Sequence, residues 1–215
     1  MTVSSDQVSA ENEGKLVHLT GEAVTGKPLT DASFGISQKA IKRVREAEMF
    51  QWVENVKSEE REQVGGSVET TKTYTYSKEW RSSVVNSDSF RDSTNHRNPK
   101  TMKYSSTTSV ADDVTVGAFA LPRFLIEKIS GAESLPAKTL EGASAEVRAS
   151  AKIHQGEFYF GDSPSVPKIG DLRVRFSAVP TGPVSVVAQQ AGESFVSYIT
   201  KTDGKLHLLS RGTKS

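Results

Sequence analysis

The alternation of apolar and polar positions is most telling between Met49 and Trp80. Met49-Phe50-Gln51-Trp52-Val53-Glu54 and Thr73-Tyr74-Thr75-Tyr76, with Glu79-Trp80, flank a polar run and a Gly65-Gly66 pair. Two β-prone aromatic segments around Gly-Gly predict a long hairpin, because glycine supplies the positive φ of a tight turn. With Gly65-Gly66 as a two-residue loop, Gln51 faces Trp80, Trp52 faces Glu79 and Asn55 faces Tyr76. Alternation then puts Met49, Val53, Tyr74, Tyr76 and Trp80 on one face, and Phe50 and Trp52 on the other. Such a ribbon needs cover on both faces near its base, supplied on one of them by the C-terminal strands and the Leu121 helix. Its strands run over Lys42–Arg61 and Val68–Val84, although Ile41–Ala47 also fits a short helix.

Elsewhere, residues 1–10 read as a disordered lead, and Leu16–Val24 as a strand ending at Gly26-Lys27-Pro28. Asn86–Lys100, rich in Asn, Asp, Ser and Arg, predicts a long loop, and Tyr104–Ser109 an extended segment. Leu121–Ile129 predicts a helix: Pro122 suits its first turn, Leu121, Phe124, Leu125 and Ile129 share a face, and Gly131 can end it. A second helix falls within Lys138–Ser150. Four alternating segments between Asp171 and Leu209, broken at Thr181-Gly182-Pro183, Ala191-Gly192 and Asp203-Gly204, predict an antiparallel meander. The fold class is mainly β (α+β): antiparallel sheets or a partly closed barrel, a long hairpin and one or two helices. Residues 11–215 read as a single β-rich domain.

Composition narrows the function more than the fold. With 27 basic against 26 acidic residues, the net charge of +1 gives no electrostatic case for nucleic acid. Tyr74, Tyr76, Trp80 and Tyr104 resemble a stacking platform, but only Lys72, Lys78 and Arg81 lie near to make it basic. The absence of cysteine removes disulfides, thiolate catalysis and cysteine-bound zinc. The longest apolar stretch, near Val116–Leu121, is far short of the ~18 residues of a membrane span.

No catalytic constellation stands out. Gly21 to Lys27 fits a phosphate loop only until Pro28 replaces the Ser or Thr that would hold magnesium. His18, His96, His154 and His207 lack metal-ligand spacing, and Asp88, Asp92, Asn95 and Asn98 lack the calcium-loop pattern. Neither a cofactor nor a metal is expected. Glu46, Glu48 and Glu54 share one parity, which suits acid–base work or exposed charges that guard an edge. Three function classes follow. The first is a non-enzymatic interaction or scaffold domain, with Phe50, Trp52, Tyr74, Tyr76 and Trp80 as interface or supporting core. The second is a lipid or small-molecule sensing domain built on an apolar sheet face. The third is a hydrolase using serine with His18 or His154 and an acidic partner.

An ordered set of segments carries a resemblance: Glu11-Asn12-Glu13-Gly14-Lys15-Leu16-Val17-His18, Met49 to Glu54, Tyr74-x-Tyr76 with Glu79-Trp80, and His96-x-Asn98-Pro99. Gly156-Glu157-Phe158-Tyr159, Gly170-Asp171-Leu172-Arg173-Val174-x-Phe176 and Leu206 to Gly212 follow. Together they resemble the extramembrane domain of the LUMA (transmembrane protein 43) family. The resemblance implies an integral membrane protein, anchored through spans missing from this stretch. It places the domain on the lumenal side of endoplasmic reticulum and inner nuclear membranes or, in a bacterium, outside the cytoplasm. It also implies self-association and contact with other membrane proteins, and no catalysis.

Overall fold

Alternating valine- and aromatic-rich segments pair into two main antiparallel sheets in the computed structural model, which describes residues 1–62, 66 and 68–213. In chain order the elements are β1 (Leu16–Val24), β2 (Leu29–Asp31), β3 (Ile36–Gln38), β4 (Ala40–Glu62), β5 (Val68–Arg81), β6 (Thr107–Val110), β7 (Thr115–Val116) and β8 (Phe119–Ala120). Next come α1 (Arg123–Lys128), β9 (Glu133–Ser134), α2 (Ala145–Ser150), β10 (Lys152–His154), β11 (Glu157–Phe160), β12 (Leu172–Pro180) and β13 (Gly182–Ala191). The chain closes with β14 (Ser194–Val196), β15 (Tyr198–Ile199), β16 (Lys205–Leu206) and β17 (Leu208–Arg211).

The first sheet runs β14-β13-β1-β7-β8, with β17 also on β13. Val17 and Leu19 of β1 face Ala188 and Val186 of β13, and all four are buried. The sheet curls until β8 meets β14: the Ala120 N–H donates to Glu193 O at 2.8 Å, and Phe119 stacks on Phe195 at 5.2 Å. Leu125 and Ile126 from α1 and Ile129 at its C-cap join this core. Each such side chain contributes about 1.5–3 kcal/mol by leaving water. Helix α1 is shorter than the periodicity suggests because Pro122 is extended at its N-cap and Ile129 is extended at its C-cap.

The second sheet runs β10-β11-β12-β4-β5, with β6 on β4 and β9 on β12. Its core gathers Ala47, Met49, Phe158, Phe160, Leu172, Val174 and Phe176, covered by Val147 of α2. Phe34, in the turn between β2 and β3, is its hub. Its ring lies edge-on to Tyr104 and Phe158 at 4.9 Å and to Phe176 at 5.4 Å. The neighbouring Gly35 has φ +64°, and a Cβ there would sit 2.3 Å from the Gly142 carbonyl carbon. Beside this hub, Asp31 and Arg43 are buried. Asp31 accepts from Arg45 Nη1 at 2.9 Å, and Arg43 Nη2 lies 3.7 Å from the same oxygen.

Several expectations change. Ile41–Ala47 is strand, not helix. The C-terminal meander is split: β12 belongs to the second sheet and β13 to the first, so the chain changes sheets at Pro180-Thr181-Gly182. β15 and β16 pair only with each other, and β17 returns to β13. The expected disordered lead lies along the first sheet. The Val3 N–H donates to His18 O at 2.9 Å, the Ala118 N–H donates to Ser5 O at 2.8 Å, and Val3 and Val8 pack on the core.

Candidate interaction surface

β4 and β5 form the expected ribbon, in a register one residue away from the expected one. Phe50 faces Trp80, Trp52 faces Lys78, Glu54 faces Tyr76 and Val56 faces Tyr74. Opposed residues sum to 130, and the last described pair, Glu62 and Val68, leaves five residues between. The Gly65-Gly66 turn itself lies outside the described residues except for Gly66. A one-residue slip exchanges the faces of a whole strand. Phe50, Trp52, Tyr74, Tyr76 and Trp80 therefore share a single face, and all five are half-buried.

That face is built in three levels. At the base, Phe50 packs on Trp80 at 5.2 Å, and the Arg173 guanidinium lies 4.6 Å over the Trp80 ring. Tyr159 meets Trp80 edge-on at 6.3 Å and donates its hydroxyl to Asp171 Oδ2 at 2.5 Å. Burial and Asp171 push the Tyr159 phenol well above its ordinary pKa. On this same side of the sheet, Glu48 bonds Arg173 at 2.7 Å and Glu46 bonds Arg175 at 2.5 Å across β4 and β12. These carboxylates are cross-strand ion-pair partners inside the sheet and not edge guards.

At the middle level, His96 inserts between ribbon aromatics. It stacks on Tyr76 at 3.6 Å and meets Trp52 edge-on at 4.6 Å, while the Lys78 ammonium lies 4.6 Å over Trp52. Tyr76 donates its hydroxyl to Glu54 at 2.7 Å and accepts from the Asp92 N–H at 2.8 Å. Burial, then the bond to Glu54, raises the Tyr76 pKa. The cover on the ribbon is thus the 82–103 segment together with β11 and, from the expected C-terminal strands, Arg173 of β12. Helix α1 does not supply it and packs among the residues of the first core.

The same segment also seals the edge of β4. β12 reaches only as far as Met49, after which Gly170 and Asp171 bond the Phe50 backbone at 2.9 Å each. One step on, Asn98 stands in for a strand. Its Oδ1 accepts from the Trp52 N–H at 2.7 Å, and its Nδ2 donates to Trp52 O at 2.9 Å and to Val85 O at 3.2 Å. Gln51, fully buried on the opposite face, donates to Ser83 O at 2.9 Å and accepts from the Val85 N–H at 2.8 Å. The roles of His96 and Asn98 were hidden in a loop whose composition reads as solvated; Phe90 and His96 within it are the one signal that it folds back.

At the third level the ribbon leaves the body. Residues 55–62 and 68–73 are exposed on both faces, with Val56 52% and Val68 56% exposed. At about 3.3 Å per residue this is an arm roughly 25 Å long. β5 is the last strand of its sheet, and among the described residues no further strand pairs with it on its outer side.

Other sequence candidates go elsewhere. Tyr104 sits in the second core at 5.0 Å from Phe160, so it shares no platform with Tyr74, Tyr76 and Trp80. Asp88 pairs with Lys100 at 2.9 Å, and Asp92 binds Asn95 and His96. His18 meets the Thr2 hydroxyl at 3.4 Å, and His154 is exposed at the end of β10. His207 bonds Ser197 Oγ at 3.0 Å, but its Nε2 faces the Lys128 ammonium at 2.7 Å, the opposite charge from the carboxylate of a triad. A cleft of about 390 Å³ lies between residues 35–38 and 135–141, lined by Ile36, Leu135 and Pro136 with Lys138 and Glu141. Among the described residues, no helix is long and apolar enough to cross a membrane, which says nothing of a β-barrel.

Comparison with known proteins agrees with the ordered motifs. The family model described as Transmembrane protein 43 matches residues 49–215. Transmembrane protein 43 of Mus musculus is 37% identical over 226 residues, covering 99% of this chain and 55% of the relative. The Homo sapiens protein is 36% identical over the same shares, and the Drosophila melanogaster homolog 34% identical over 194 residues, covering 87% of this chain and 50% of its own. The chain thus spans about half the length of the curated relatives it matches. No solved structure matches. A matched model over most of the chain, and relatives aligned along nearly all of it, show that this chain belongs to the transmembrane protein 43 family of membrane proteins.

Proposed function

We propose that these residues form a non-enzymatic interaction domain of a membrane protein, joining copies of itself or other membrane proteins through the β4–β5 ribbon. The observation that carries this is the arm: two strands exposed on both faces, of which β5 is the last strand of its sheet among the described residues. An isolated two-stranded ribbon is marginal in water, and an open edge is a template for a further strand. Phe50, Trp52, Tyr76 and Trp80 act as its footing, locked by His96, Tyr159 and Arg173, and Tyr74 with Val56 begins the contact surface. The domain works on the lumenal or extracytoplasmic side, tethered by spans outside these residues.

Multi-angle light scattering on the 215-residue chain tests the reading. Oligomers that become monomers when residues 57–72 are replaced by a short turn are expected. A strict monomer at high concentration, with and without detergent, refutes association of copies through this domain. Protease protection of the full-length protein in sealed membranes tests the sidedness; cleavage of the arm from the cytosolic side refutes it.

A further inference from the structure

The first sheet carries a second exposed feature, opposite in character to the polar arm. Between β14 and β17 the chain leaves the sheet edge as a small finger, in which Tyr198 pairs with Leu206 and Ile199 with Lys205. Ile199 is 53% and Leu206 41% exposed, and they point to opposite faces of the finger. A hairpin that served the core would hide one of them. Val196 and Leu208, at its two roots, are 43% and 50% exposed on the outer side of the sheet. Every strongly exposed isoleucine or leucine among the described residues lies in this one segment.

The finger is also pre-set in shape. At its tip, the Thr200 N–H donates to Gly204 O at 2.8 Å, and the Gly204 N–H donates to Thr200 Oγ1 at 3.0 Å. At its root, His207 bridges Ser197 and Lys128 and meets Phe124 edge-on at 5.0 Å. Lys201 and Lys205 on the finger are exposed, against its single acid Asp203. Exposed aliphatics on both faces of a projecting finger, with lysines beside them, suit the boundary between acyl chains and anionic headgroups.

We propose that the finger at residues 196–208 docks this domain onto an anionic phospholipid bilayer, with Ile199 and Leu206 entering the interface and Lys201 and Lys205 meeting headgroup phosphates. This surface is separate from the ribbon, and its readout is vesicle binding, not oligomeric state.

Co-sedimentation of the 215-residue chain with vesicles of phosphatidylcholine, alone or with about a third phosphatidylserine, tests it. Binding to the anionic vesicles is expected. Ile199→Ser with Leu206→Ser should weaken it at least ten-fold, at unchanged far-UV circular dichroism. Lys201→Glu with Lys205→Glu should abolish the preference for anionic over neutral vesicles. Val56→Ser on the arm should change nothing. Absence of binding by the wild-type chain overturns the proposal, as does a serine double variant that binds within two-fold of it.

Discussion

Replacing Asn98 with alanine removes the side chain that completes the edge of β4. Three hydrogen bonds go with it: the one it accepts from the Trp52 N–H at 2.7 Å, and those it donates to Trp52 O and Val85 O at 2.9 and 3.2 Å. A net 0.5–1.5 kcal/mol per bond gives an upper sum of about 4.5 kcal/mol. Trp52 and Asn98 are only half-buried, so water recovers part of it and about 2–3 kcal/mol is expected. For a chain of this size that corresponds to a fall in Tm of roughly 5–10 °C. Asn98→Asp keeps the acceptor, loses both donations and sets a carboxylate oxygen against the two carbonyls, so it should cost at least as much as alanine. Both tryptophans of the chain, Trp52 and Trp80, lie on the ribbon, so urea unfolding followed by their fluorescence reads the site directly. A change below about 0.5 kcal/mol for Asn98→Ala would show that Asn98 does not act as a surrogate strand.

Further outcomes follow from the packing. Gly35→Ala must adopt φ +64° and place a Cβ 2.3 Å from the Gly142 carbonyl carbon, so a loss of about 3 kcal/mol or more is expected by chemical denaturation. Asp31→Asn leaves the buried Arg43 and the half-buried Arg45 without their shared carboxylate and should cost about 3 kcal/mol, measured the same way. His207 has a lowered pKa, chiefly from burial and then from Lys128 and Lys205. The unfolded chain, near 6.5, therefore takes up the proton first, and stability falls as pH drops below about 6.5 towards the folded value. His207→Gln should flatten that slope in unfolding curves between about pH 7 and 5; an unchanged slope contradicts the assignment.

Much of the strand pattern was legible, and for a physical reason. Leu16–Val24 buries Val17, Leu19 and Ala23 on one face, so its limits in sequence and structure agree. The ribbon was legible in its strands but not in its register. Register depends on how many residues the connection takes up, and one residue moved Phe50 and Trp52 onto the face of Tyr76 and Trp80. The change of sheet at Pro180-Thr181-Gly182 was illegible because a Gly-Pro break looks the same whether the chain folds back on one sheet or crosses to another. Phe34 was overlooked because a lone aromatic in a polar turn has no period; only the surrounding rings reveal it as a hub. Of the candidate surface, the five aromatics were readable from composition. Their cover was not, since His96 and Asn98 reach them across 20 to 46 residues.

One long strand ties the two halves of the molecule together. Ile41, near the start of β4, belongs to the first core, while Ala47 and Met49 further along belong to the second. Neither core can melt without unzipping a segment that the other holds. The protein should accordingly show one cooperative calorimetric transition and a shared, slow amide-exchange class along residues 41–49. Force or ligation at the arm, which is the far end of the same strand, acts on both cores at once.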